Sequence, residues 1–349
     1  MLKTVEYMNI DIDEDYAFVD VRSNGEYEEF TIPGALNIPI FDNEERKIIG
    51  TIYKNESIDK AKKVGIQFVS AKLLELYEKF SELKSSHKEV IIFCERGGMR
   101  SSSLWSLFNS IGLRTIKLEG GYKGYRAAIN ENLPKVVEDV TFIMLHGHTG
   151  TGKTELLKKL EQNGLDVLDL EGYANHRGSL LGDVGLPGKV SQKKFDALVF
   201  EKLRRRKSNY VLIEAESGRI GNILIPQFMH NRMKQGIHLL VEGSLEARAK
   251  RIVDEYIVNE NSKQEILDAL EKLGRYLGAS KTEHIAKLVQ AEDYMEATRE
   301  LMVLHYDPLY GKGQQRYEFS LTVNSDDMDA ATERIEEFVN HILEQSKEV

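Results

Sequence analysis

The chain has 349 residues, 41% hydrophobic and 30% charged, a globular composition that excludes a disordered chain or a fibre. At roughly 150 residues per domain it predicts two domains. A formal net charge of −9 excludes a uniformly basic coat for nucleic acid, so any such contact must come from a local basic patch. No apolar run approaches the roughly 18 residues of a membrane span. The acidic start, Met1 to Asp15, lacks a basic segment followed by an apolar one, so a cytoplasmic protein without a signal peptide is expected.

In chain order, Tyr16 to Arg22 reads as a short buried strand, and Ile32 to Pro39 as a turn entering another. Phe68, Leu73, Leu74, Leu76, Tyr77 and Phe80 recur at helical spacing, which predicts a helix over 67–83. Glu89 to Phe93 is a strand running into Cys94, a glycine-rich loop and a helix from about Ser101 to Ile111. Thr115 to Leu118 is a further strand, closed by Gly120 and Gly121. The polar stretch Asn130 to Asp139, with Pro134, is the expected linker. A second α/β pattern then begins with a strand over Val140 to Leu145, a glycine-rich loop and a helix from Lys153 to Gln162. Tyr210 to Glu214 and Gly236 to Val241 are strands, and from about Leu245 onward the pattern is mostly helical. Alternating strands and helices predict parallel sheets.

Cys94 is the single cysteine, so an intrachain disulfide and a multi-thiolate zinc site are excluded. A lone cysteine is often simply buried core. Here a strand end, Cys94, Glu95, Arg96, Gly97, Gly98, Met99, Arg100 and a helix start coincide. Inward-facing N–H groups, the helix N-terminus and the two arginines favour the thiolate. Residues Gly147, His148, Thr149, Gly150, Thr151, Gly152, Lys153 and Thr154 form the pattern of a phosphate-binding loop, between a strand and a helix as that motif requires. Lys153 supplies a point charge and Thr154 a hydroxyl able to hold Mg²⁺. Any diphosphate fits this loop. The acidic strand-end candidate is Glu214, where aspartate is usual, with Glu216 nearby; the alternative is a pair of ordinary solvent-facing residues. His176 and Arg177, in the run Asn175 to Ser179, are candidates for substrate phosphate or base, against a plain surface loop.

Arg204, Arg205, Arg206 and Lys207 close an amphipathic helix and are the first candidate for a nucleic-acid backbone, against a plain solvated face. Arg248, Lys250 and Arg251 are a weaker patch. His305 to Tyr310 joins aromatic and polar residues that either stack on a base or pack on the core.

Residues 1–133 resemble a rhodanese domain, through Asp20-Val21-Arg22, Ile32 to Pro39, the Cys94 loop and Leu118 to Tyr122. Cys94 and Arg100 are separated by one residue more than in many small sulfurtransferase loops, a length shared with related phosphatases. Residues 134–349 read as a P-loop NTPase-like α/β domain whose part from about 245 is helical. Nearly the whole chain is similar to the tRNA 2-selenouridine synthases, through the two loops, Asn175 to Ser179, Glu214 to Ser217 with Arg219, and Tyr306 to Tyr310. That resemblance implies a two-step reaction on wobble 2-thiouridine in tRNA. Geranyl diphosphate alkylates the sulfur, then selenium from selenophosphate displaces the S-geranyl group. It implies a selenophosphate-producing enzyme as donor. It also implies a perselenide on Cys94, with Arg96 and Arg100 on the departing phosphate. An ATP-dependent tRNA sulfurtransferase or kinase, a cysteine-dependent phosphatase with a nucleotide-binding module, and an RNA-binding adaptor stand as alternatives.

Overall fold

Continuous apolar runs with β-branched residues mark strands buried on both faces. The computed structural model describes residues 3–178, 182, 184–186, 188–257, 261–309 and 316–346. The chain divides into two compact units, Met1–Leu133 and Pro134–Val349.

In the first unit the strands are β1 (Lys3–Val5), β2 (Tyr16–Asp20), β3 (Leu36–Asn37), β4 (Glu89–Phe93) and β5 (Ile116–Leu118). They form a parallel sheet in the order β1-β5-β4-β2-β3. β4 is therefore central, and its carboxyl end opens between β5 and β2, the usual place for a ligand in such sheets. Around the sheet lie α1 (Asn24–Glu29), α2 (Asn43–Asn55), α3 (Ile58–Ser86), α4 (Met99–Ser110) and α5 (Gly121–Glu138). Phe80 and Phe108 are wholly buried against Val19, Val90 and Ile92.

Two elements depart from the sequence expectation. The helix expected over 67–83 begins at Ile58, because Ser57 caps it by accepting the Lys60 N–H at 3.1 Å and Ala61 and Gly65 extend its buried face. The stretch expected to be a polar linker is helical: α5 continues to Glu138. Ile129, Leu133 and Val137, four residues apart, are each buried, and that stripe outweighs the hydrogen bond lost at Pro134.

The second unit contains β6 (Thr141–His146), α6 (Lys153–Gln162), β7 (Val167–Leu168), α7 (Leu170–Ala174), α8 (Gln192–Arg204) and β8 (Tyr210–Glu214). The hairpin of β9 (Arg219–Ile220) and β10 (Ile223–Leu224) follows, then α9 (Gln227–Lys234) and β11 (Ile237–Glu242). Next come α10 (Leu245–Tyr256), α11 (Ser262–Leu277), α12 (Ala279–Gln290), α13 (Tyr294–Leu301) and a π turn over Met302–Tyr306. The chain closes with β12 (Leu321–Asn324) and a final helix, Met328–Gln345. The parallel sheet runs β12-β11-β6-β8-β7, with β6 central and crossovers to either side of it. Ile143, Leu145, Leu212 and Leu239 pack there against Leu156 and Leu160 of α6 and Ile335 of the final helix. Helices α10 to α13 enclose a separate apolar cluster that includes Tyr256, Leu270, Ile285 and Leu301. β12 interrupts the expected helical tail; only Val323 of its four residues is buried, too short an alternation to read as a strand. Among the described residues no helix is long and apolar enough to cross a membrane.

Candidate functional site

Cys94 leaves the end of β4 with its side chain buried, Sγ lying 3.2 Å from the Ser101 hydroxyl in the first turn of α4. The loop between them is shaped by close backbone approach. A Cβ on Gly121 would stand 2.1 Å from the Cys94 carbonyl oxygen and 2.5 Å from the Gly97 nitrogen, and Gly121 has φ +57. The Tyr122 and Lys123 N–H groups donate to the Cys94 and Glu95 carbonyls, each at 2.9 Å. The glycine pair after β5 thus lets the start of α5 lie directly on the cysteine loop. Gly97, also at positive φ, and Gly98, which precedes α4, complete the curve; Met99 points outward, 57% exposed.

A buried ion network ties this loop to β2. Arg22, 1% exposed, donates to both carboxylate oxygens of Asp20 and to Glu95 Oε2 at 2.9 Å. Its guanidinium lies 4.5 Å from the centre of the Tyr122 ring. Arg100 is held by Glu26 in a two-pronged pair at 2.6 and 3.1 Å. Burial pushes the Glu26 carboxyl up, but Arg100 and then Arg46 outweigh it and hold it below its ordinary value. Arg96 is exposed. Of the two arginines expected to bind phosphate, then, Arg96 is open to solvent and Arg100 is turned to an internal carboxylate. The roles of Asp20, Arg22, Glu26 and Ser101 are tertiary contacts that spacing could not show.

In the second unit, β6 ends at His146 and the chain curves through the 147–154 loop into α6. Gly150 and Gly152 have φ +80 and +76, left-handed conformations that glycine adopts without a Cβ penalty. A Cβ on Gly147 would meet Thr151 Oγ1 and the Val241 carbonyl at 2.6 Å. Lys153 Nζ donates to the Gly147 and His148 carbonyls at 3.2 and 3.4 Å, holding the ammonium against the loop. Thr154 is half-buried in the first turn of α6.

The loop is braced from α10. Arg248 donates through Nε to the Thr149 carbonyl at 3.0 Å and pairs with both oxygens of Asp307 at 3.1 and 2.6 Å. Asp307 also lies 3.1 Å from His148 Nδ1. Arg251 reaches the Gly150 carbonyl at 3.4 Å and Ser325. Arg248 and Arg251 are therefore braces of the 147–154 loop. Arg248 is 5% exposed, since a buried guanidinium needs a fixed carboxylate. The run from His305 resolves likewise: Tyr306 is buried on the core and Asp307 is the clamp, while Tyr310 lies outside the described residues.

Three glutamates gather beside the loop. Glu214 is wholly buried; its Oε2 accepts the Leu170 N–H at 3.2 Å, and Oε1 has no partner among the described residues. Burial, then the charges of Asp169 and Glu171, push its carboxyl up to about 8. Burial also raises Glu171 and Glu216, which share a hydrogen bond, against the opposing pull of Lys153. Glu214 is thus not a solvent-facing strand-end residue. Among the described residues no group of three or more His, Cys, Asp or Glu side chains is placed to hold a metal.

The remaining candidates divide. His176 packs its ring on Gly221, where a Cβ would stand 2.5 Å from Cδ2, and accepts the Gly178 N–H at 3.1 Å. Arg177 pairs with Glu255 at 2.6 Å, donates to the Val184 carbonyl at 2.6 Å and lies 4.7 Å from the Tyr256 ring centre. Ser179 lies outside the described residues. Arg219 is exposed and donates to the Gly221 carbonyl within its own hairpin. In the first basic cluster Arg205 and Lys207 are exposed, while Arg204 and Arg206 are half-buried and Arg206 donates to the Leu203 carbonyl.

The chain matches two family models: a rhodanese-like domain over residues 4–128, and the tRNA 2-selenouridine synthase AAA domain over residues 140–342. A tRNA 2-selenouridine synthase of Marinobacter nauticus is 30% identical over 337 residues, spanning 88% of this chain and 90% of that one. The Pseudomonas fluorescens protein of the same name is 29% identical over 339 residues, 88% and 92% of the two chains. The solved N-terminal domain of a Clostridium difficile protein is 40% identical, covers 36% of this chain and 98% of that one, and has a TM-score of 0.36. A rhodanese-like unit followed by the selenouridine-synthase AAA unit, across the same span as these relatives, makes this chain a member of the tRNA 2-selenouridine synthase family.

Proposed function

We propose that this enzyme converts wobble 2-thiouridine of tRNA to 2-selenouridine in two steps, one at each loop. The observation that carries the reading is the presence, in one chain, of a thiol in a glycine-shaped loop and of a braced Gly-x4-Gly-Lys-Thr loop, each at the carboxyl end of a central parallel strand.

In the first step the 147–154 loop holds the diphosphate of geranyl diphosphate. The allylic C–O bond breaks, the thiocarbonyl sulfur takes the geranyl carbon, and the uridine N3 proton is lost. Pyrophosphate leaves with the electron pair, and Lys153 and the loop N–H groups stabilise it. In the second step selenophosphate sits at the Cys94 loop. The exchange balances as S-geranyl-2-thiouridine, selenophosphate and water going to 2-selenouridine, geranyl thiol and phosphate. Cys94 takes the phosphoryl group from selenium as a thiophosphate that water hydrolyses to phosphate, and the freed hydroselenide attacks C2 of the base and expels the geranyl thiolate, with Ser101 as hydroxyl donor to the Cys94 sulfur. Arg96 offers the open positive charge for the phosphate group, and Arg100, on Glu26, adds to the field. A selenophosphate-producing enzyme supplies the donor, and Arg205 and Lys207 meet the tRNA backbone.

Nucleoside mass spectrometry tests this directly. Full-length protein, 2-thiouridine tRNA and geranyl diphosphate should yield S-geranyl-2-thiouridine, and added selenophosphate should carry it to 2-selenouridine. Cys94→Ala should stop at the geranylated nucleoside, and Lys153→Ala should prevent its formation. Full selenation by Cys94→Ala, or unchanged tRNA with the native chain, would overturn the reading.

A further inference from the structure

Beside the 147–154 loop, helices α10 to α13 and the π turn line an apolar cleft open to solvent. Its wall is hydrocarbon, carried chiefly by Ile252, Tyr256, Leu301, Met302 and Tyr306. The cleft meets the phosphate loop at Thr149, which is part of its lining. The Thr149 hydroxyl oxygen is buried there and has no hydrogen-bond partner among the described residues. Ile252 abuts the next residue of the loop: a Cβ on Gly150 would stand 3.0 Å from Ile252 Cδ1. Both walls are locked to the loop by one ion pair, since Arg248 lies on the α10 wall and its partner Asp307 directly follows the π turn.

This adjacency selects among diphosphates. A nucleotide on the loop would push ribose hydroxyls and base edges into a lining whose polar atoms are a few Thr and Tyr hydroxyls, too few to pair them all, which is costly for buried polar groups. A hydrocarbon leaves no such group unpaired, and each methylene taken from water is worth about fourfold in affinity. We infer that the cleft between α10 and the π turn holds the hydrocarbon chain of an isoprenyl diphosphate whose diphosphate lies on the 147–154 loop, and that its lining residues set the chain length accepted. The inference rests on the proposed first step and adds where the chain goes and what measures it.

Isothermal titration of the full-length protein with inorganic pyrophosphate, dimethylallyl, geranyl and farnesyl diphosphates and ATP provides the test. The native chain should bind geranyl diphosphate at least tenfold more tightly than dimethylallyl diphosphate, and pyrophosphate most weakly. Thr298 lines the cleft from a half-buried position on α13, clear of the phosphate loop's own residues. Thr298→Phe should weaken geranyl diphosphate at least tenfold and leave pyrophosphate affinity unchanged. Ile252→Ala should raise farnesyl relative to geranyl diphosphate. An undiminished preference for geranyl over dimethylallyl diphosphate in folded Thr298→Phe, together with unchanged chain-length selection in Ile252→Ala, would overturn the cleft assignment while leaving the first step standing. A native chain that binds ATP but no isoprenyl diphosphate better than pyrophosphate would overturn both.

Discussion

Glu214 shows how a single position changes meaning once its surroundings are known. In sequence it is an acidic residue ending a strand beside a phosphate loop, the place of a metal-orienting carboxylate. In the fold it is sealed from water among other acids, with its carboxyl raised from the ordinary 4.5 to about 8. The native chain therefore keeps a proton that the unfolded chain has lost, so this group stabilises most below pH 4.5 and loses that contribution as the pH rises toward 8. Glu214→Gln, neutral throughout, should flatten the decline of Tm between pH 5 and pH 8. Some slope should remain from Glu171 and Glu216. Thermal unfolding at a series of pH values checks this, and an unchanged slope in the variant would refute it. Cys94, by contrast, was legible by residue type and setting alone. Its partner Ser101 reads in sequence only as the start of the next helix, because an O–S contact across a helix turn depends on the actual path of the chain.

At the scale of elements, the loops depend on what lies against them. The start of α5 seats its backbone on the Cys94 loop, and Gly121 is the point of closest approach. The atom that a Cβ would strike is the Cys94 carbonyl oxygen, which no side-chain rotation can move aside. Gly121→Ala should therefore shift the loop by an appreciable fraction of an ångström or more and cost about 100-fold in selenium transfer, the usual consequence of a misplaced reacting group. Geranylation, carried by a different element, should survive. Gly112→Ala is the matched control, with φ +90 but nothing within 4 Å of its Cβ. Equal losses in the two variants would show that backbone strain, not contact with the loop, is responsible. The elements themselves were unevenly readable. β4, α6 and β8 announced themselves through long apolar runs or a motif. α2 did not, because none of its residues is buried and its polar face dominates the pattern. α5 was mistaken for a linker, since proline and charge at its end disguised a buried stripe.

For the whole molecule, a net charge of −9 and a polyanionic substrate must be reconciled. With Arg248 and Arg251 committed to the phosphate loop, the exposed charge of the first cluster rests on Arg205 and Lys207. If these two contact the tRNA backbone, replacing both with glutamine should lower the slope of log affinity against log salt by about 1.5, roughly 0.7 to 0.9 per contact. Filter binding across a potassium chloride series reads this. A parallel weakening with no change of slope would place the contacts elsewhere.

Sequence by itself determined the two α/β halves, the thiol loop and the phosphate loop. Each is written in contiguous residues, where strand periodicity, glycine spacing and one nucleophile or one lysine are enough. Tertiary structure decided what surrounds them: Arg22 between Asp20 and Glu95, Arg100 on Glu26, Arg248 between Thr149 and Asp307, and an apolar cleft beside the loop. Arg22 and Glu95 lie 73 residues apart in the chain, and Arg248 and Asp307 lie 59 apart. A cleft wall, moreover, is made of the same residue types as a core. Charge and hydropathy along the chain state what a side chain is, and only the packed fold states which charge faces it and whether water does.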